Sequence, residues 1–319
     1  MPRRETSKLF DLTLKRLLNA SSRAIVYFVN GLFGTCYPPD SVVDYPLTEY
    51  ISSSLKSQML DILLLINKTD LYHIEAQIDD DGNMAIRVFD YGYAVGLHYK
   101  QSEDDIIRIK FPDARVIYWE TSRKTPDYVT LRLEFPDGTV HDYKVQSFKY
   151  LDHDLEDLEK QKMIILLPFY LLKYRKRIKT SVKKRAELAA EVKQLLDDTV
   201  RIVHRSAQAG VITREDAGII IACMDHMFVE LYGSQYKEFK EANEMLQGAL
   251  VTSIDKAVEK TRLEDQEKYE QEREKYEQRF RSGFQNMLKN GMTPEQIANM
   301  FDMPVEDIVK IKSDCESQK

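Results

Sequence analysis

Residues 58–91, QMLDILLLINKTDLYHIEAQIDDDGNMAIRVFDY, constrain the fold more than any other stretch. Two apolar runs, 60–66 and 71–78, flank Asn67-Lys68-Thr69-Asp70, residues suited to a tight turn. The pattern predicts a β-hairpin. Side chains alternate across a strand, so Leu71, His73, Glu75 and Gln77 share one face while Tyr72, Ile74, Ala76 and Ile78 share the other. Asp61 opens the first strand, and pairing across the turn can bring it near Glu75. Two carboxylates repel in a partly dry site, and a divalent cation resolves that repulsion. Hard oxygen ligands suit Mg²⁺ or Mn²⁺. After the turn 79–82, Asn83 is placed to cap a helix running to about Lys100. Met84, Val88, Tyr91 and Val95 form its apolar stripe, and Arg87 lies one turn from Tyr91.

An Asp on one strand, Glu-x-Gln on the next and Arg-x-x-x-Tyr on the following helix resemble the PD-(D/E)XK nuclease superfamily. More closely, they resemble its bacterial branch of recombination-promoting nucleases and putative transposases. Asp61, Glu75, Gln77, Arg87 and Tyr91 carry the match. Asp11-Leu-Thr-Leu-Lys15 matches a pattern on that branch's first helix, and the tail LKNGMTPEQIANMFDMPVEDIVKI matches its end. The resemblance implies an α/β fold, a restriction-endonuclease-like αβββαβ core, followed by an all-helical C-terminal region. It also implies metal-dependent hydrolysis of DNA phosphodiester bonds. Asp61, Glu75 and the Ala76 carbonyl would hold Mg²⁺, which polarises the phosphate and lowers the pKa of its water. Gln77 stands where the wider superfamily has Lys, although the branch it resembles also has Gln there. It can orient a water but carries no charge and cannot shuttle a proton.

Each of these residues has a plainer reading. Asp61 alone is a surface acid at a strand start. Asp11 is either a further carboxylate near the metal or an exposed acid at the positive end of a helix. Lys15 either reaches phosphate or pairs with Asp11 one turn away. Arg87 clamps a phosphate or pairs with Asp90 or the acids at 79–81. Tyr91 is half core with its hydroxyl near the site. His73 shares the Glu75 face, where a lone His is more often packed or solvated than catalytic.

The remaining chain supplies the frame. Ser7 is a candidate cap for a first helix with Leu9, Leu12, Leu17 and Leu18 inward, and 21–33 reads as a second helix. The span 41–56 reads as loop then strand. Residues 115–119 read as a strand, and 128–135 and 139–148 as a hairpin around Pro136-Asp137-Gly138. Beyond 151 the pattern is helical. A segment from 152 to 178 begins acidic, turns apolar around Pro168 and ends basic. Helices follow at 184–208 and 213–232, the latter capped by Thr213, and a long polar one at 237–282. The division expected is 1–150 for the nuclease core, 151–252 for a helical region, 253–282 for a charged helix and 283–319 for a small tail resembling helix-turn-helix.

The net charge of −6 does not favour DNA binding but leaves room for a local basic patch. That patch is 173–185, with eight cations and no acid. Lys173, Arg175, Lys176, Arg177, Lys183, Lys184 and Arg185 are its candidate phosphate ligands; the plainer reading is a solvated helix end. Acidic Glu306 and Asp307 argue against base readout by the tail. Three dispersed cysteines fit a reducing cytoplasm without disulfides or structural zinc. No leader or membrane span is expected. The sequence therefore predicts a Mg²⁺-dependent DNA endonuclease, with a homo-oligomer possible through the C-terminal helices. The competing reading is a degenerate nuclease fold that binds DNA or assembles without cutting.

Overall fold

The computed structural model describes residues 3–46, 62–78, 82–103, 105–177, 182–233, 237–252 and 293. The chain divides into a unit Met1–Asp255 and a unit Lys256–Lys319. Apart from Thr293, all described residues belong to the first, so the expected charged helix 253–282 and tail 283–319 lie outside them.

Helix α1 (Arg3–Leu17) starts before Ser7, which is therefore inside the helix and not its cap. It buries Leu9, Phe10, Leu14 and Leu17, while Leu12, expected inward, is 54% exposed. Helix α2 (Ser22–Phe33) is capped by Ser21, whose hydroxyl accepts from the Ala24 N–H. The strands are β1 (Val43–Asp44), β2 (Ile62–Ile66) and β3 (Asp70–Gln77). The expected turn joins β2 to β3, with Asn67 and Lys68 both at positive φ, the twist a tight hairpin needs. Helix α3 (Met84–His98) follows, and Asn83 stands at its cap position without a side-chain cap bond.

A small hairpin, β4 (Gln101–Glu103) and β5 (Ile106–Arg108), precedes β6 (Asp113–Tyr118). Strands β7 (Tyr128–Glu134) and β8 (Val140–Lys149) form the expected hairpin, with Gly138 at φ 86°. The fold is mixed α/β. Its six-stranded sheet has the order β1-β2-β3-β6-β8-β7. Strand β3 runs antiparallel to β2 and parallel to β6, and β6 runs parallel to β8.

Alternation assigns the two faces. Ile62, Leu64, Ile66, Tyr72, Ile74 and Ile117 join the large core with α1, α2 and the later helices. On the other face, Met84 and Val88 of α3 pack with Ala114, Val116 and Tyr118 of β6. Tyr91 and Val95 pack with Leu63. Helix α3 is thus the crossover between the parallel strands β3 and β6. Gly92 and Gly96 let the returning chain lie against it: an added Cβ would stand 2.5 Å from Phe111 Cδ1 and 2.5 Å from Ile109 Cγ2, respectively.

The segment 152–178, where the acidic-to-basic order suggests a helix that Pro168 would kink, is instead three separate elements. Helix α4 (Leu155–Lys160) stops early, and Lys162 has positive φ. Residues Ile164–Leu171 then form a 3₁₀ segment, buried throughout, ending in a one-turn helix α5 (Leu172–Arg175). An apolar run without a polar face cannot lie on a surface, and Pro168 removes one backbone donor from it. Helices α6 (Val182–Gln208) and α7 (Arg214–Phe228) follow, with a reciprocal cap of Thr213 and Asp216 opening α7. Helix α8 covers 240–252. Leu188, Val203, Ile220 and Phe228 belong to the same core as Ile62 and Ile74. The expected boundary at 150 therefore falls inside the first unit. Asp216 ties two helix starts together, accepting from the Ser21 N–H (2.7 Å), the Ser21 hydroxyl (2.6 Å) and the Thr213 N–H (2.8 Å). Among the described residues, no helix is long and apolar enough to cross a membrane.

Candidate active site

Strand β3 carries the candidate residues because it is central, with β2 on one side and β6 on the other. Glu75 stands beside Val116 and Gln77 beside Tyr118 in the parallel register. Helix α3 lies over this face, so Glu75 is 3% exposed and His73 fully buried. His73 Nε2 lies 3.0 Å from Glu75 Oε1. Among the described residues this is the carboxylate's only hydrogen bond. The other ring nitrogen of His73, Nδ1, is buried without a partner. Tyr91 meets the His73 ring edge-on, with centroids 5.7 Å apart.

Two residues further along β3, Gln77 Oε1 accepts from Arg87 Nη2 at 2.5 Å. That contact was not among the partners expected for Arg87, which were Asp90 and the acids at 79–81. Ala76 faces the large core and stands opposite Ile117. Asp61 lies outside the described residues; the described ladder ends one residue after it, at Ile62↔Ile74.

The N-terminal candidates are not joined to this cluster. Asp11 and Lys15 form an ion pair at 3.0 Å, both half-exposed. Neither has a hydrogen bond or ion pair to Glu75 or Gln77.

The basic segment is largely tied to carboxylates. Arg175 and Lys176 both hold the buried Glu120, at 2.8 and 2.9 Å. Arg177 binds Glu191 through two bonds of 2.7 Å and lies over the Tyr174 ring. Arg185 stands 3.5 Å from Glu238. Lys173 lies 5.3 Å over the Tyr170 ring. Lys184 is exposed, and the side chain of Lys183 lies outside the described residues. The acids at 152–159 were the expected counter-charges. Those found come from the end of β6, from α6 and from the 3₁₀ turn Lys237–Phe239.

Two cations escaped notice in the sequence. Arg123 and Lys124 sit on the β6–β7 loop, both exposed and without an ion pair among the described residues. That loop leaves the sheet beside Gln77, because the Trp119 N–H bonds the Gln77 carbonyl (2.9 Å) and the Glu120 N–H bonds the Ile78 carbonyl (2.8 Å). The Ser122 N–H bonds the Thr125 hydroxyl, and the Thr125 N–H bonds the Ser122 carbonyl, so the tip has a fixed shape. The dipeptide in the loop ETSRKTPD was the available signal. The i, i+2 spacing of His73 and Glu75 on a strand was the signal for their contact.

No family model, curated protein or solved structure matches this chain.

Proposed function

We propose that the chain is a Mg²⁺-dependent DNA endonuclease of the PD-(D/E)XK kind, with Asp61, Glu75, Gln77 and Arg87 as its working residues. The observation that carries this reading is the state of Glu75: a carboxylate 3% exposed whose one hydrogen-bond partner among the described residues is His73. Buried carboxylates are normally held by several donors or an opposite charge. A hard divalent cation supplies what is missing.

The order of elements supports the same reading. Helices α1 and α2, the antiparallel run β1–β2–β3, α3, and β6 parallel to β3 follow the sequence of an αβββαβ core. In sequence Asp61 precedes Ile62 and Glu75 follows Ile74, the last described pair of the β2–β3 ladder. Among the described residues no three His, Cys, Asp or Glu side chains gather into a metal site. In the proposed site, Asp61 and the Ala76 carbonyl would join Glu75. A bound Mg²⁺, or Mn²⁺ in its place, supplies Lewis-acid polarisation of the scissile phosphodiester.

The chain's own residues do the rest. Asp61 and Glu75 hold the cation. Gln77 orients a water through hydrogen bonds. Arg87 fixes the Gln77 amide and brings to that position the positive charge that the superfamily's usual Lys carries. Arg123 and Lys124, on the loop that leaves beside Gln77, are free to meet a DNA backbone, as is Lys184. Arg175, Lys176, Arg177 and Arg185 would first have to leave their carboxylates.

That neutralised segment favours a second reading, a nuclease fold retained for assembly or binding without cutting. Supercoiled plasmid separates the two. With Mg²⁺ the wild type should nick or linearise it; with EDTA, or with Asp61→Ala or Glu75→Gln, it should not. A folded wild-type protein that leaves plasmid intact in both Mg²⁺ and Mn²⁺ would move the assignment to the second reading.

A further inference from the structure

We infer that His73 is a positioning residue for the cation site: its Nε2–H holds Glu75 Oε1 and so turns the other carboxylate oxygen toward the metal. The inference rests on the proposed metal site and asks what this chain adds to it.

The geometry begins with the strand. His73 and Glu75 are two residues apart on β3 and therefore on one face. Their side chains meet at 3.0 Å in a space closed by α3. Hydrogens follow from the partner: a carboxylate accepts, so the bonded nitrogen Nε2 is assigned the proton. Nδ1 is then a buried acceptor with nothing to accept from. Such a group costs about 1–3 kcal/mol.

Packing alone gives no return for that cost. The neighbours on this face are Leu63, directly across the β2–β3 pair, and Tyr91 and Val95 from α3. A Leu or Met at position 73 would fill the same space without an orphaned nitrogen. What those side chains lack is the Nε2–H aimed at Glu75. Fixing one oxygen of a carboxylate removes its freedom to rotate. Groups that orient a ligand in this way typically contribute 10–100-fold to metal affinity.

The test is Mn²⁺ binding to the full chain at constant pH, followed by calorimetry and by the electron paramagnetic resonance of free Mn²⁺. His73→Leu, which removes the donor, should raise the Mn²⁺ Kd roughly 10–100-fold. His73→Gln, which keeps an N–H donor, should stay within about threefold of wild type, well short of that loss. If His73→Leu does not fold, His73→Met is the donor-free variant that decides. A merely structural His73 predicts another pattern: both variants change the melting temperature, and neither changes the Mn²⁺ Kd. That pattern overturns the inference while leaving the nuclease reading intact. A wild type that binds no Mn²⁺, or whose binding survives both Asp61→Ala and Glu75→Gln, overturns the metal site itself and this inference with it.

Discussion

Glu75→Gln should make the metal-free protein more stable. Glutamine keeps the length of the side chain and an oxygen to accept from His73, and it removes the charge. In the wild type that charge is 3% exposed and has one hydrogen bond. Burying a carboxylate costs several kcal/mol even after relaxation, and one charge-assisted hydrogen bond returns about 1.5–3 kcal/mol. The difference leaves the variant ahead by about 1–3 kcal/mol. In a unit of this size each kcal/mol moves the midpoint by about 2–4 °C, so the shift should be on the order of 5 °C upward in EDTA.

Mn²⁺ should then close the gap. A ligand at a hundred times its Kd adds about 2.7 kcal/mol to a protein that binds it, and nothing to one that does not. The wild type should rise on titration and the variant should stay where it is, so the two melting curves approach or cross. Circular dichroism melts in EDTA and across a Mn²⁺ series measure this directly. The reasoning fails if Glu75→Gln melts below wild type in EDTA, which would make the carboxylate a support of the fold and not a group held at a cost for binding.

Two further predictions concern the frame that holds the strand. Asp216→Asn replaces an acceptor of three hydrogen bonds by a group with only one oxygen. A backbone N–H left facing an amide costs about 1–3 kcal/mol, and the lost charge at two helix starts adds up to ~2 kcal/mol. The melting midpoint should therefore fall by roughly 10 °C, against a far smaller loss for Ser21→Ala; equal losses would contradict the network. Burial pushes the Cys223 thiol up to about 11. Its stabilising contribution is complete below the ordinary thiol value of 9.0 and is lost as pH rises through about 11. Stability should drop over that window by about 2 kcal/mol more in wild type than in Cys223→Ala, and peptide mapping after alkylation of native protein at pH 8 should find Cys36 modified and Cys223 spared.

What could be read from the sequence was local. The hairpin of β2 and β3 is written in Asn67, a residue type that tolerates positive φ, between two apolar runs that pair across the turn. The β7–β8 turn at Gly138 and the Thr213 cap are equally short-range signals. The miss at Ile164–Leu171 has a physical cause. Its eight residues are all buried, so no periodicity marks a face, and a helix and a 3₁₀ run look alike in sequence. The ion-pair partners of the basic segment were hidden for another reason. Arg175 meets Glu120 across 55 residues of chain, and Arg177 meets Glu191 from a different helix. A run of like charges in sequence says nothing about the carboxylates that the fold folds back onto it.

The position of the candidate site was less visible in the sequence than its residues, yet it follows from the topology. Strand β3 is where the sheet changes from antiparallel to parallel. Between β2 and β3 the chain turns back through the tight turn at Asn67 and Lys68. After β3 the chain crosses over through α3 and returns alongside as β6, whose departing loop is hydrogen-bonded to the last residues of β3. In open α/β sheets, ligands gather outside the carboxyl ends of parallel strands at such a switch. Glu75 and Gln77 occupy the last turn of side chains before that end, and Arg87 and the Arg123-Lys124 tip come from the two segments that border it. The other carboxylate of β3, Asp70 at its start, is half-buried and accepts from the Tyr37 hydroxyl at 2.8 Å, so it already has a partner within the fold. Glu75 lies nearer the carboxyl end of the same strand, 3% exposed, with His73 as its hydrogen-bond partner among the described residues, which is why the proposed cation is assigned to it and not to Asp70.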